Sequence, residues 1–88
     1  MKLGLTNPAT GEIFRELPFH CLEETKSRLA TAGKVQNEWK NTSLSHRIGL
    51  IENAMNYFME NRESISRDIT LQMGKPIKEA RNEVNGMI

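Results

Sequence analysis

Leu44, Ile48, Ile51, Met55 and Phe58 fall four, three, four and three residues apart, and this spacing constrains the fold more than any other feature of the chain. It places all five side chains on one face of an α-helix. Leu50, Ala54 and Tyr57 widen the stripe beyond a narrow seam, so the helix is expected to touch more than one neighbour. Ser43 is its candidate N-cap. Asn61 reads as a break or re-cap, Glu63 follows in the next first turn, and Ile65, Ile69 and Met73 continue a narrower face to Gly74. Residues 43–73 are therefore one helix, or two with a break near 61.

The same period precedes and follows this segment. Leu22, Thr25, Leu29, Ala32, Val35 and Trp39 recur at three and four, which predicts a helix over 21–40. Glu23 and Glu24 stand in its first turn and Lys40 at its end, as the helix dipole favours. Its cap position is Cys21, weaker than Ser or Asp, which predicts fraying at this start. Ile77, Ala80, Val84, Met87 and Ile88 make a further stripe over 76–88. Before all of these, Asn7-Pro8 and Gly11 punctuate two short extended pieces in residues 1–19, a β-hairpin with Leu5, Ile13 and Leu17 as candidate apolar contacts. The fold class is mainly α with a short amino-terminal β-hairpin. At 88 residues the chain holds one core at most, a single partial domain over 1–88.

Twelve Lys and Arg against eleven Asp and Glu leave a net charge of +1, with the signs interspersed. Neither nucleic acid nor membrane is an expected partner, because phosphate binding needs a clustered basic face. A helix-turn-helix reading lacks a basic recognition helix. One cysteine cannot form an internal disulfide, and the amino terminus has no apolar run of signal-peptide or membrane-spanning length. A cytoplasmic, reduced setting is the expectation.

No residue is assigned a catalytic, cofactor-binding or metal-binding role. Cys21 is the only thiol and is read as a capping or half-buried side chain; His20 is adjacent, but neighbours in sequence seldom face each other. His20 and His46 have no companion ligand at metal spacing. Glu79 and Glu83, four apart, read as a solvated face with slight mutual repulsion. Met55, Met59 and Met73 read as adaptable filling. Gly74-Lys75-Pro76 poses the one real choice, between a phosphate cradle and a hinge. A cradle needs several glycines after a strand, whereas here one glycine follows a helical pattern and a proline removes an N–H. Gly74 is therefore expected as a left-handed helix stop, with Pro76 as N1 of the next helix.

The order of these pieces resembles the amino-terminal segment of the aldehyde dehydrogenase superfamily. The resemblance is carried by "NPATGE" at 7–12, Trp39, "SLSHR" with Arg47, Gly74, Lys75 and Pro76, and Glu79, Ala80, Glu83 and Val84. The form "MGKPIKEARNEV" looks most like the succinate-semialdehyde branch. The resemblance implies a partial α/β, Rossmann-like nucleotide-binding domain. It also implies a parent enzyme that oxidises aldehydes to carboxylic acids with NAD or NADP through a cysteine thiohemiacetal.

The family's Gly-rich nucleotide site, oxyanion-hole asparagine, general-base glutamate and nucleophilic cysteine have no counterpart in 1–88, and Cys21 lacks the surroundings of that nucleophile. The 88 residues alone are thus expected to be non-catalytic and to carry no cofactor. Their expected partner is the remainder of the parent, with Ile48, Met55, Phe58, Ile65 and Ile69 facing it, or another copy through apolar helix faces. The apolar stripe open at Ile88 suggests an interrupted domain. The alternative is a small helical module for protein interaction or self-association.

Overall fold

The computed structural model describes residues 1–88 as a hairpin followed by four helices: β1 Lys2–Thr6, β2 Ile13–Pro18, α1 Leu22–Trp39, α2 Leu44–Glu60, α3 Arg62–Met73 and α4 Ile77–Met87. β1 and β2 pair antiparallel and form the whole sheet. Their turn closes because the Asn7 N–H donates to the Glu12 carbonyl at 2.8 Å while the Asn7 carbonyl accepts from Gly11 N–H at 2.8 Å. Asn7 Oδ1 also accepts from the Ala9 N–H at 2.9 Å. Gly11, at φ 75°, takes the left-handed position that such a turn requires.

Ile13 and Leu17 do not make the contacts expected of them; both are exposed, whereas Leu5 is half-buried. For Ile13 the cause is a bulge, whereas Leu17 keeps its regular place opposite Leu3. Leu5 pairs with Arg15 but Thr6 with Ile13, so Phe14 is an extra residue and Ile13 moves to the opposite face. Phe14 is half-buried instead.

The start expected to fray at α1 is closed by a reciprocal cap. Cys21 Sγ accepts from the Glu24 N–H at 3.4 Å, and Glu24 Oε2 accepts from the Cys21 N–H at 3.2 Å, so Glu24 supplies what the thiol lacks. Ser43 caps α2 by accepting from the His46 N–H at 3.2 Å. At Asn61 the helix breaks, but the side chain does not re-cap α3. Its Nδ2 donates backwards to the Tyr57 carbonyl at 2.9 Å, which the Asn61 N–H also reaches at 3.0 Å. Asn61 thus serves the end of α2, because φ −108° and ψ 19° lie outside the extended geometry of an N-cap.

Gly74 ends α3 in the left-handed region at φ 73°, its N–H donating to the Thr70 carbonyl at 2.9 Å. Pro76 is not N1. Its ψ of 139° is extended, so it occupies the N-cap, its carbonyl accepts from the Ala80 N–H at 3.1 Å, and α4 starts one residue later.

Burial is confined to one corner of the molecule. Ser66 on α3 and Ala80 and Val84 on α4 are the three buried residues. Ion pairs reinforce the corner: Arg81 forks onto Glu63 at 2.6 and 3.0 Å, joining α4 to α3, and Arg15 of β2 lies 3.5 Å from Asp68 of α3. By contrast, α1 and α2 bury no residue.

The extents of 47 × 34 × 15 Å and radius of gyration of 17.4 Å compare with about 12 Å for a compact chain of this length. The accessible surface of 7170 Å² exceeds the roughly 5,300 Å² of a compact protein of this mass. No helix is long and apolar enough to cross a membrane.

Candidate functional site

Two segments singled out in the sequence meet in space. The Pro8 ring of the hairpin turn lies against Gly74, so that a Cβ placed there would be 3.0 Å from Pro8 Cγ. Gly74 is required twice over, by its positive φ and by this approach. The arrangement does not fit the phosphates of a dinucleotide. The Gly74 N–H is committed to Thr70, Pro8 covers the glycine, Pro76 has no N–H to offer, and Lys75 Nζ is held 2.5 Å from Glu83 Oε1. The hinge expectation therefore describes what these residues do: they fix the angle between α3 and α4 beneath the hairpin.

The candidate chemical side chains are scattered. Cys21 is exposed, and its sulfur serves as the cap acceptor of α1. His20 and Cys21 do converge, although only on Glu24, whose Oε2 lies 3.4 Å from His20 Nδ1. The Cys21 backbone N–H, and after it His20, hold the Glu24 carboxyl below its ordinary range. His46 stands in the first turn of α2, and no group of three or more His, Cys, Asp or Glu gathers anywhere. Glu83 is paired with Lys75 and not set against Glu79, which occupies the first turn of α4.

Apart from these side chains, the structure presents apolar surface on α1 and α2. An open groove of about 540 Å³ runs along Ala32, Val35 and Trp39 of α1. A second, of about 310 Å³, lies on α2 between Leu44, Arg47, Ile48, Ile51 and Glu52. Arg47 is half-buried, and its Nε is enclosed without a hydrogen-bond partner. Ile65 and Ile69 are half-buried, but Met73, expected on their face, is 70% exposed. These surfaces can pack, and the larger groove is also lined by Ser27, Arg28, Thr31 and Gln36. Reasoning from sequence missed the Pro8–Gly74 contact and the Arg81–Glu63 fork. Neither has a local signal beyond the proline, the glycine and the opposite charges.

Comparison with known proteins agrees with this architecture. The model of the aldehyde dehydrogenase family matches residues 2–88. The chain is 29% identical over 83 residues to succinate-semialdehyde dehydrogenase GabD of Escherichia coli (strain K12), an enzyme named for NADP(+), covering 94% of this chain and 17% of that protein. It is 36% identical over 78 residues to succinate-semialdehyde dehydrogenase 2 of Schizosaccharomyces pombe, also named for NADP(+), covering 89% of this chain and 16% of that one. The crystal structure of glyceraldehyde-3-phosphate dehydrogenase GapN from Methanocaldococcus jannaschii, complexed with NADP, superposes with a TM-score of 0.85 at 30% identity, over 94% of this chain and 18% of GapN. The chain thus spans less than a fifth of the length of these relatives. With nearly all of its residues matched by the family model and its fold reproduced in GapN, the chain belongs to the aldehyde dehydrogenase family.

Proposed function

We propose that these residues form the non-catalytic amino-terminal scaffold of an NAD(P)-dependent enzyme that oxidises an aldehyde to a carboxylic acid. The observation that carries the reading is the match of residues 2–88 to the family together with the GapN superposition. The semialdehyde dehydrogenases among the relatives favour a semialdehyde substrate, and their names, with the NADP bound in GapN, favour NADP. In this reading the hairpin, α3 and α4 make a clip that presents α1 and α2 to the rest of a Rossmann-like domain. The exposed Ile48 and Ile51, with the half-buried Met55 and Phe58 beside them, are covered by that domain. A single exposed free thiol fits a reduced, cytoplasmic setting.

The test uses two proteins. The 88-residue chain mixed with NADP or NAD and succinate semialdehyde should give no rise in nicotinamide absorbance; turnover would refute the non-catalytic role. A chimera in which residues 2–88 replace the matching segment of GabD should retain NADP-dependent oxidation. A folded chimera without activity counts against the scaffold.

A second reading, a helical interaction module, is favoured by one observation. Neither α1 nor α2 buries a residue, so both present long amphipathic faces of the kind that helix-in-groove recognition uses.

A further inference from the structure

Asparagine is followed by glycine once in the chain, at Asn85-Gly86; the other asparagines precede Pro, Glu, Thr, Ala, Tyr or Arg. The pair stands in the last turn of α4, and both residues are exposed. The Asn85 carboxamide enters no hydrogen bond within the chain. A Cβ placed on Gly86 would meet nothing within 4 Å, so the backbone there is open to approach from the neighbouring side chain. The turn itself is weakly held. It has no basic residue to complement the helix dipole, and glycine is the poorest helix former after proline.

We propose that Asn85 is a site of spontaneous covalent modification, at which the side-chain carboxamide is lost as ammonia through a ring closed by the Gly86 nitrogen. The Gly86 backbone nitrogen gives up its proton and attacks Cγ of Asn85. A bond forms between that nitrogen and Cγ, the bond from Cγ to Nδ2 breaks, and Nδ2 leaves as ammonia carrying the proton. Water then reopens the five-membered succinimide. Addition at Cγ leaves aspartate, and addition at the backbone carbonyl leaves isoaspartate, which carries one extra carbon in the main chain. Solvent supplies the water, and nothing is oxidised or reduced. In a closed helix the i→i−4 ladder holds the Gly86 nitrogen away from its neighbour, so the ring closes when this last turn opens, which costs little at a helix end.

The position of the new carboxylate gives the modification a consequence. Arg81 stands four residues before Asn85, on the same face one turn away, and it is Arg81 that forks onto Glu63 of α3 at 2.6 and 3.0 Å. Loss of the carboxamide takes the formal net charge from +1 to zero and sets the added negative charge within reach of the Arg81 guanidinium, in competition with Glu63. The same charge opposes the dipole at the end of α4. Modification at Asn85 thus loosens the tie between α3 and α4, next to the buried Val84.

The test holds the 88-residue chain for weeks in mildly alkaline buffer at physiological temperature, with its digests followed by mass spectrometry and the whole chain by isoelectric focusing. Expected are a mass gain equal to NH exchanged for O, an added negative charge and released ammonia in equal amount, localised to the peptide that holds Asn85. Gly86→Ala should slow the reaction by at least about fivefold, through the added Cβ and the firmer turn. Asn85→Asp makes the product charge directly. It should lower the folding equilibrium constant about two- to fivefold and move the Glu63 carboxyl, which Arg81 holds below its ordinary range, back upward; Asn85→Gln should do neither. An Asn85 intact at the end of the incubation, or equal rates with and without Gly86→Ala, overturns the site. A Glu63 titration that is the same in Asn85→Asp and Asn85→Gln overturns its action on the fork. Mass and titration are read without substrate, so the outcome is independent of the aldehyde dehydrogenase role.

Discussion

The helices α3 and α4 and the helices α1 and α2 share the same apolar periodicity and reach opposite ends. Across Gly74 the former close on one another, burying Ser66, Ala80 and Val84 and locking Glu63 to Arg81. Across residues 40–43 the latter stay apart from any interior, and neither buries a residue. The difference teaches that a 3.6-residue stripe specifies a helix and a face but not an interior. An interior also needs small residues at the crossing, here Ser66 and Ala80, and a hinge short enough to bring the faces together.

The comparison breaks most visibly on insertion of a charge. Val84, 2% exposed, replaced by Asp would bury an unpaired carboxylate in the one packed corner. The cost is several kcal/mol, on the order of the ~5 kcal/mol that holds a small domain together. Urea unfolding followed by circular dichroism should show loss of the cooperative transition. Ile51→Asp on α2, at a position 60% exposed, should move the same midpoint by no more than about 0.5 kcal/mol. Equal losses would mean that the two halves are packed alike.

A smaller effect sharpens the same contrast through one substitution made twice. Gly74→Ala meets both a φ of 73° and Pro8 Cγ at 3.0 Å, and should destabilise by about 1–3 kcal/mol. Gly33→Ala lies inside α1 with nothing within 4 Å of the new methyl, and should stabilise by up to about 1 kcal/mol. The measurement is thermal unfolding of both variants. Adding Pro8→Ala to Gly74→Ala should recover the steric part of the loss and leave the dihedral part.

These contrasts mark where the sequence was legible. Helix positions and the left-handed stop at Gly74 follow from local spacing and local backbone chemistry, which a linear reading contains. The bulge at Phe14 was not readable, because one extra residue in a strand leaves no trace until pairing decides which residues oppose each other. Asn61 was half-readable: its type signals a helix end, but only its dihedral angles decide which of two helices it serves. Pro8 on Gly74, Arg15 beside Asp68 and Arg81 on Glu63 join parts distant in the chain, and nothing in the spacing selects those partners from the other prolines and charges. The places of Cys21, His20 and His46 were approachable, since a helix start and a first turn are read from local spacing, but the meeting of Cys21 and His20 on Glu24 was not.

Acid should separate the halves again, by a smaller amount. Glu63 lies below its ordinary pKa of 4.5 chiefly through the hydrogen bonds from Arg81, and Glu24 lies below it through the Cys21 N–H and then His20. Each is depressed on folding, so its contribution is present above the unfolded value near 4.5 and is lost as pH falls through the lower folded value. Both groups are exposed, so salt screens the effect. Loss of the Glu63 pair loosens α3 from α4 and should appear in the global transition; Arg81→Met should flatten that response. Loss of the Glu24 cap should appear only as fraying of α1, read from hydrogen exchange of its first-turn amides. A global acid response that survives Arg81→Met would assign the sensitivity to other carboxylates.

The smallest expected effect concerns the two N-caps of the loose half. Cys21 accepts the Glu24 N–H through sulfur at 3.4 Å, whereas Ser43 accepts the His46 N–H through oxygen at 3.2 Å. Oxygen is the stronger acceptor, so Cys21→Ser should slow exchange of the Glu24 amide and add a few tenths of a kcal/mol to α1, while Ser43→Ala should cost α2 about 1 kcal/mol. Glu24 closes its box with either residue at the cap, which is why the gain is small. Because neither helix buries a residue and both caps stand at the helix starts, both changes should stay local, altering exchange in their own first turns and leaving the midpoint of the α3–α4 transition where it was. A shift of that midpoint by Cys21→Ser would show that α1 communicates with the corner, and that the two halves are one cooperative unit despite the bare faces between them.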